Sequence, residues 1–542
     1  MTPVIFALLG VLVVVAWARP VALVALHALH VLQLEEYQTG RFWRWLASHG
    51  RSAVDRPLVA GVAGVIVLAL VLPGLAWLIA PIGGVALGIR QSLPSKQPEA
   101  KKPLVLTARA RRLLASWVFC AVVVAVIVFV LANRLPVVAR TAPFPSIALA
   151  LLVVGAFCWP LMSLANLVVY PVEAGFRRYY LSSARRILRR YHPVVIGVAG
   201  SYGKTSTKSI LVQIVSTRHP ALATPRSFNT PMGLCRVIRE QLRPECHYFV
   251  AELGAYKRGE IEQLCRLVRP SIGVLTAVGP EHLERFGSME NVVRAEFELI
   301  DALPADGLAV FNGDDDTCRE LSVRCRCRRV LVGGPPDPRR TLWAEEVRLT
   351  SAGLDLTVCA SDGQRAAVTT RLLGRHNVAN VLAASAAALA CGMSFGEVVA
   401  AIPRLEPIEH RLQLIPNGNG IAVIDDTYNS NPRGAATALE TLGTFEGGRR
   451  YLVTPGMVEL ADLQDAAHRE FGRQAAEVCD GVILIGPKQT NAIADGLVEA
   501  GFGRDRLIVT RNLAEATELL KTLLQRGDAV LFENDLPDNY DE

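Results

Sequence analysis

The chain lacks the paired cysteine and histidine spacings of a zinc site. Its 11 cysteines are scattered, and an odd number cannot all pair. Cys325 and Cys327 stand close together with no second pair at zinc spacing. The pattern excludes a disulfide scaffold and points to reduced thiols acting as small apolar filler. Internal repeats and long low-complexity tracts are also missing, which sets aside solenoids and disordered arrays. A cleavable signal peptide is not expected, because no charged segment precedes the first apolar run and further runs follow it.

What the chain has is apolar length. At 542 residues it has room for three domains, and 51% of it is hydrophobic with a mean hydropathy of +0.30. The excess lies in four stretches, Pro3–Leu32, Leu58–Ile89, Leu113–Leu131 and Ile147–Val169. Read as four membrane spans, they predict a helical transmembrane region over 1–175 with the lipid bilayer as partner. The net charge of +7 sits beside these runs, in Arg41–Arg56, Lys96–Arg112 and Arg177–Arg190. Basic flanks of this kind mark a cytosolic face rather than a nucleic-acid surface, so no nucleic-acid partner is expected. The Arg41–Arg56 segment, with Phe42, Trp43 and Trp45, fits four spans badly and reads as an interfacial helix or a miscounted span. Phe176 to Tyr191 is a basic amphipathic connector (176–193), expected along an anionic leaflet or against the next domain.

From Val194 onward, apolar strand-like runs alternate with helical patterns, which predicts two α/β domains with parallel sheets. Their expected bounds are 194–408 and 409–542, with a break near Pro403–His410. The first opens on Gly197-Val-Ala-Gly200-Ser-Tyr-Gly203-Lys204-Thr205-Ser206, between an apolar run and an amphipathic helix. Strand, glycine turn, Lys-Thr and helix wrap backbone N–H groups around phosphates, with Lys204 on the β/γ-phosphates and Thr205 on Mg²⁺. Val198 stands where the full P-loop has its first glycine. Gly200, Ser201, Gly203, Lys204, Thr205 and Ser206 are thus the candidate ATP-binding residues.

Further strings follow: Phe249-Val-Ala-Glu252, Gly279-Pro-Glu281-His282-Leu283, Asn312-Gly-Asp314-Asp315 and Gly374-Arg375-His376-Asn377. His410-Arg411-Leu412-Gln413 and Asp425-Asp426-Thr427-Tyr428-Asn429-Ser430-Asn431-Pro432 complete the series. In order and spacing they closely resemble the Mur ligase family, in the branch that adds D-alanyl-D-alanine, over roughly Val194 to Ala529. The resemblance implies a P-loop-type central ATPase domain, a Rossmann-like C-terminal ligase domain, and an ATP-dependent amide ligase working through an acyl phosphate. It implies ATP and two Mg²⁺ ions. Lys204, Glu252, His282 and Arg411 would be catalytic, and Thr205, Glu252 and His282 would hold metal. Asn312, His376, Asn377, Arg411 and Asp425 would contact the nucleotide. Asn229, Thr230, Asp426, Asn429 and Asn431 would face the peptide-type acyl substrate and the amino-acid or dipeptide amine.

Three departures stand out. Glu296 occupies the place of a family lysine that is carbamylated to hold the second metal; a glutamate already carries a carboxylate, so Glu296 is a candidate ligand. The C-terminus reads Phe532-Glu533-Asn534-Asp535 in place of Lys-Gly-Ser. The apolar region stands where relatives carry a UDP-binding domain, so a lipid-linked acyl substrate is expected beside a UDP-linked one. The combined expectation is a multi-pass ligase of the bacterial inner membrane with cytosolic catalytic domains, serving cell-wall peptide synthesis. A ligase for another amide-linked polymer such as poly-γ-glutamate, and a non-catalytic nucleotide-binding scaffold, share the same pattern.

Overall fold

The computed structural model describes residues 3–53, 82, 103–134, 144–226, 228–334, 336–416, 418–428 and 430–535. The chain divides into two compact units, Met1–Arg178 and Tyr179–Glu542.

The first unit is helical: α1 (Pro3–Leu34), α2 (Thr39–Ala53), α3 (Ala108–Asn133), α4 (Phe144–Ala156) and α5 (Cys158–Tyr191), the last running on into the second unit. Two stretches, Val14–Leu34 and Ala108–Asn133, are long and apolar enough to cross a membrane. The expected span Leu58–Ile89 lies outside the described residues, Ile82 excepted. The expected span Ile147–Val169 is divided between α4 and α5 at Phe157. Pro160 has no N–H to donate to Ala156, and its ring is tolerated in the first turn of the following helix. The Arg41–Arg56 segment begins as α2, which lays Phe42 into the helical core and lets Trp43 Nε1 donate to Ser163 Oγ at 3.1 Å. Trp159 stacks between Phe42 and Trp45, at ring distances of 5.6 and 5.8 Å.

The second unit holds two sheets. The larger is built from β1 (Val194–Ala199), β2 (Ala221–Ala223), β3 (Tyr248–Glu252), β4 (Ile272–Leu275), β5 (Leu308–Asn312), β6 (Arg328–Val332), β7 (Arg340–Thr350), β8 (Gly353–Ala360) and β9 (Arg365–Thr370). Its order is β2-β3-β1-β4-β5-β6-β7-β8-β9. The first seven strands run parallel, and β7-β8-β9 close it as an antiparallel meander. Glycine turns and crossover helices such as α6 (Lys204–Ser216), α7 (Pro231–Glu240) and α8 (Met289–Asp301) bury both faces, so β1 and β4 read as continuous apolar runs. The alanine-rich α9 (His376–Ala390) packs across α6, its Val381, Leu382, Ala384 and Ala387 fully buried or nearly so.

The smaller sheet has the order β10-β11-β15-β12-β13-β14, from β10 (Gln413–Ile415), β11 (Ala422–Asp426), β12 (Arg450–Thr454), β13 (Gly481–Ile485), β14 (Leu507–Thr510) and β15 (Ala529–Glu533). All pairs are parallel except β10 with β11. Asp426, Thr454 and Glu533 stand at neighbouring carboxyl ends of this sheet, the edge where open α/β sheets place ligands.

Candidate functional site

The phosphate loop follows β1. Gly200 (φ 130°) and Gly203 (φ 80°) hold backbone conformations that side chains resist. A Cβ on Gly203 would stand 2.6 Å from Asn380 Oδ1, and one on Gly200 would stand 2.8 Å from the Ala277 carbonyl. No side chain caps α6, so its first-turn N–H groups face the loop, ready for an anion. Ser201 is spent on the scaffold: its N–H donates to Ala277 O at 2.6 Å and its hydroxyl to Gly279 O at 3.0 Å. Val198, at the place of the missing glycine, is a buried strand residue in register with Glu252 and Val274.

Lys204 folds back on its own loop. Its ammonium donates to the carbonyls of Gly200 and Ser201 and pairs with Glu281 Oε2 at 3.1 Å. Burial opposes the charged form, but the carboxylates of Glu281, Glu296 and Glu252 outweigh it and hold the group above the usual lysine value. Glu252, 1% exposed at the end of β3, accepts from Thr205 Oγ1 at 3.1 Å and from Asn229 Nδ2 at 3.2 Å. Lys208 Nζ lies 2.8 Å from the same carboxylate.

A cavity of about 710 Å³ opens beside the loop and is walled by both sheets' domains. Gly203, Ser206, Asn312 and His376 line it from one side, and Arg411, Asp426, Ser430, Asn431 and Glu533 from the other. A second cavity of about 520 Å³ lies across α6 and is lined by Thr205, Lys208, Arg226, His410 and Tyr428. Arg411 touches both cavities. Its guanidinium stacks 4.2 Å over the Tyr428 ring, and its buried Nε has no hydrogen-bond partner. A guanidinium that lines both cavities and still has an unpaired N–H suits an anionic ligand such as a nucleotide.

Several expected residues take other places. Asn377 is buried and donates to Leu373 O at 2.7 Å, while Asn380, one turn on, lines the cavity and accepts from Thr207 Oγ1 at 3.1 Å. Asp425 pairs with His410 at 2.7 Å and is not a cavity residue; its neighbour Asp426 is. Strand alternation explains the exchange at Asp425 and Asp426, since one position along β11 reverses the face, whereas Asn377 and Asn380 are a turn apart on α9 and differ in the partner each side chain takes. Thr230 caps α7 through the Gly233 N–H at 3.2 Å. Asn431 both lines the cavity and caps the helix Pro432–Gly443 through the Gly434 N–H at 2.9 Å. Asn429 lies outside the described residues.

The four expected metal ligands are not gathered. Among the described residues no three His, Cys, Asp or Glu side chains form a ready metal cluster. Thr205 and Glu252 meet beside the loop and fit one Mg²⁺ that takes its remaining ligands from phosphate and water. His282 instead hydrogen-bonds the Glu459 carboxylate, which also pairs with Arg285 at 2.8 Å. Glu296, 3% exposed, accepts the Gly200 N–H at 2.6 Å. Burial pushes its carboxyl up to about 7, with Lys204 pulling back. Glu533 was not expected in the site at all. It accepts from Ser430 and from Thr454 Oγ1 at 2.9 Å, and burial pushes it up to about 8. Its signal in the sequence was an acid ending a fully apolar strand.

Fold and site together define a P-loop-type nucleotide enzyme whose cavity is completed by a second α/β domain. Residues 198–388 match the Mur ligase middle domain, and residues 410–533 match the Mur ligase, glutamate ligase domain. The UDP-N-acetylmuramoyl-tripeptide–D-alanyl-D-alanine ligase of Mycobacterium tuberculosis (strain ATCC 25618 / H37Rv) is 34% identical over 360 residues, 62% of this chain and 69% of that protein. A crystal structure of MurF from Acinetobacter baumannii superposes with a TM-score of 0.60 at 28% identity, covering 66% of this chain and 78% of that one. The MurF ligase of Thermotoga maritima in complex with ADP gives 0.59 at 25%, covering 66% and 80%. The chain belongs to the Mur ligase family, and is an ATP-dependent amide-forming ligase.

Proposed function

We propose that this chain joins a D-alanyl-D-alanine-type amine to a peptide-type carboxylate in cell-wall synthesis, held at the cytosolic face of a bacterial inner membrane. Arg411 carries the reading: this half-buried arginine lines both the cavity beside the phosphate loop and the cavity beside Thr205 and Lys208. The substrate carboxylate attacks the γ-phosphorus of ATP and ADP leaves. The amine then attacks the acyl carbonyl and phosphate leaves. Lys204 and the N–H groups of α6 neutralise the phosphate charge, and Arg411 follows that charge onto the acyl phosphate. Thr205 and Glu252 would hold Mg²⁺, which when bound screens the phosphoryl oxygens; His282 and Glu296 are the candidates for a second ion. Asp426 receives the ammonium and takes its proton. The relative named above supports the amine, and Val14–Leu34 and Ala108–Asn133 support the membrane.

The test incubates membranes holding the chain with ATP, D-alanyl-D-alanine and either UDP-linked or lipid-linked muramoyl tripeptide, reading phosphate release and product mass. Amine-dependent phosphate release with a product of amide mass is expected with one of the two. Arg411→Ala should lower kcat by roughly 100- to 1,000-fold, the usual loss on removing a donor to developing charge. Phosphate release indifferent to the amine with both acyl substrates overturns the proposal.

A further inference from the structure

Between Glu173 and Glu240 the chain contains no aspartate or glutamate. The last part of α5 falls in this interval and has two faces. Leu181, Ala184 and Leu188, a turn apart, pack into the core of the nucleotide-binding domain, with Ala184 fully buried. Arg185, Arg186, Arg189 and Arg190 lie on the other side and are exposed, and among the described residues none of the four is ion-paired. Arg239 of α7 extends the patch: its guanidinium stacks on the Tyr180 ring at 4.4 Å, and it bears on the Cys235 thiol together with Arg185.

Arg185 with Arg189 and Arg186 with Arg190 are like-charged pairs four residues apart, an arrangement that weakens an isolated helix. Packing of the opposite face holds them in place without neutralising them, so the charge is available to an external anion. The same helix begins at Cys158, and its earlier turns expose Leu164, Leu167, Val168 and Val172. Exposed apolar turns followed within two turns by exposed Arg177 and Arg178, and within four turns by Arg185, match a helix that passes from acyl chains into the headgroup region. At about 1.5 Å per residue the four arginines span less than a physiological screening length of about 8 Å, so a charged surface that meets one meets all.

We infer that the arginine face of α5, with Arg239, is a docking surface for anionic phospholipid headgroups, fixing the nucleotide-binding domain itself at the leaflet rather than leaving it on a tether. The inference rests on the membrane reading above. The test reconstitutes the full chain in nanodiscs of phosphatidylcholine, alone or with about one-third phosphatidylglycerol, and follows phenylglyoxal modification of each arginine by mass spectrometry. Labelling of Arg185, Arg186, Arg189 and Arg190 should slow by about fivefold or more in the anionic discs and recover in high salt, while exposed Arg504 should not change. With all four changed to Gln, Arg239 should lose most of its protection, and ATP turnover in detergent should stay as in the parent. Equal labelling in the two discs overturns the inference. So does equal protection by inorganic polyphosphate in phosphatidylcholine discs, which would mark a soluble polyanion as the partner. Failure to enter phosphatidylcholine discs sinks the membrane reading instead. Docking is then decided by sedimentation with anionic against neutral vesicles, where equal binding overturns it.

Discussion

Glu296 spends its carboxylate on backbone. By accepting the Gly200 N–H it fixes the turn that presents Lys204, and a metal-binding role has to share that oxygen pair. Glu296→Gln keeps an acceptor for Gly200 but removes the charge, whereas Glu296→Ala removes both. ATP turnover titrated with Mg²⁺ should fall by about 10- to 100-fold in the Ala variant. A smaller loss in Gln with unchanged Mg²⁺ dependence would assign Glu296 to the loop, and a raised Mg²⁺ requirement would assign it to metal. Glu533 makes a second prediction. Its folded value of about 8 lies above the ordinary 4.5, so its stabilising contribution is complete below pH 4.5 and is lost as pH rises through about 8. Over that window stability should fall by up to about 1.4 kcal/mol per pH unit. Glu533→Gln, which resembles the protonated acid, should lack this slope in thermal unfolding against pH; identical slopes would sink the argument. The placements of Glu252 at the end of β3 and Lys204 at the start of α6 were legible in the sequence, because an apolar run ends at the one and a helical pattern opens at the other. Asn377 against Asn380, and Asp425 against Asp426, were not, because which neighbour faces a cavity depends on rotation and pleat that spacing alone leaves open.

Strands β1, β3, β4, β5 and β12 to β15 could be read as apolar runs because parallel strands covered on both faces have no polar alternation. The β7-β8-β9 meander escaped that reading. In β7 buried and half-exposed positions alternate before the strand runs out to solvent, and its Glu345, Glu346 and Arg348 look like loop residues in sequence. The fourth apolar stretch is one run in sequence and two helices in the structure, α4 and α5, divided at Phe157 ahead of Pro160. The turn into α6 is the element most sensitive to a single atom. Gly203→Ala adds a Cβ at a left-handed φ of 80° and 2.6 Å from Asn380 Oδ1. It should cost about 1–3 kcal/mol of stability and weaken ATP binding together with it, seen as a lower melting temperature that ATP no longer raises. A variant that melts like the parent would show that the turn relaxes.

At the scale of the catalytic unit, Glu459 joins the two domains, as do the Arg375–Glu440 and Arg433–Asp315 pairs. Glu459 belongs to the C-terminal domain and holds His282 and Arg285 of the middle domain, and although burial raises its carboxyl, the hydrogen bonds and charge interactions with those two side chains outweigh that and keep it below the usual glutamate value. The two domains are therefore clasped with the cavity between them. Glu459→Ala should release them: small-angle scattering of the detergent-solubilised chain should show a larger radius of gyration without nucleotide, and ATP should bind several-fold more weakly. Unchanged scattering would place the clasp elsewhere.

A clasp that exists before the nucleotide arrives alters the timing of the cycle. Orientational freedom between the domains has already been given up, so ATP meets a prepared cleft and its binding free energy is not diverted into assembling one. The same restraint delays departure. Faster ADP release from Glu459→Ala than from the parent would show that this contact, and not bond formation, sets the pace of turnover.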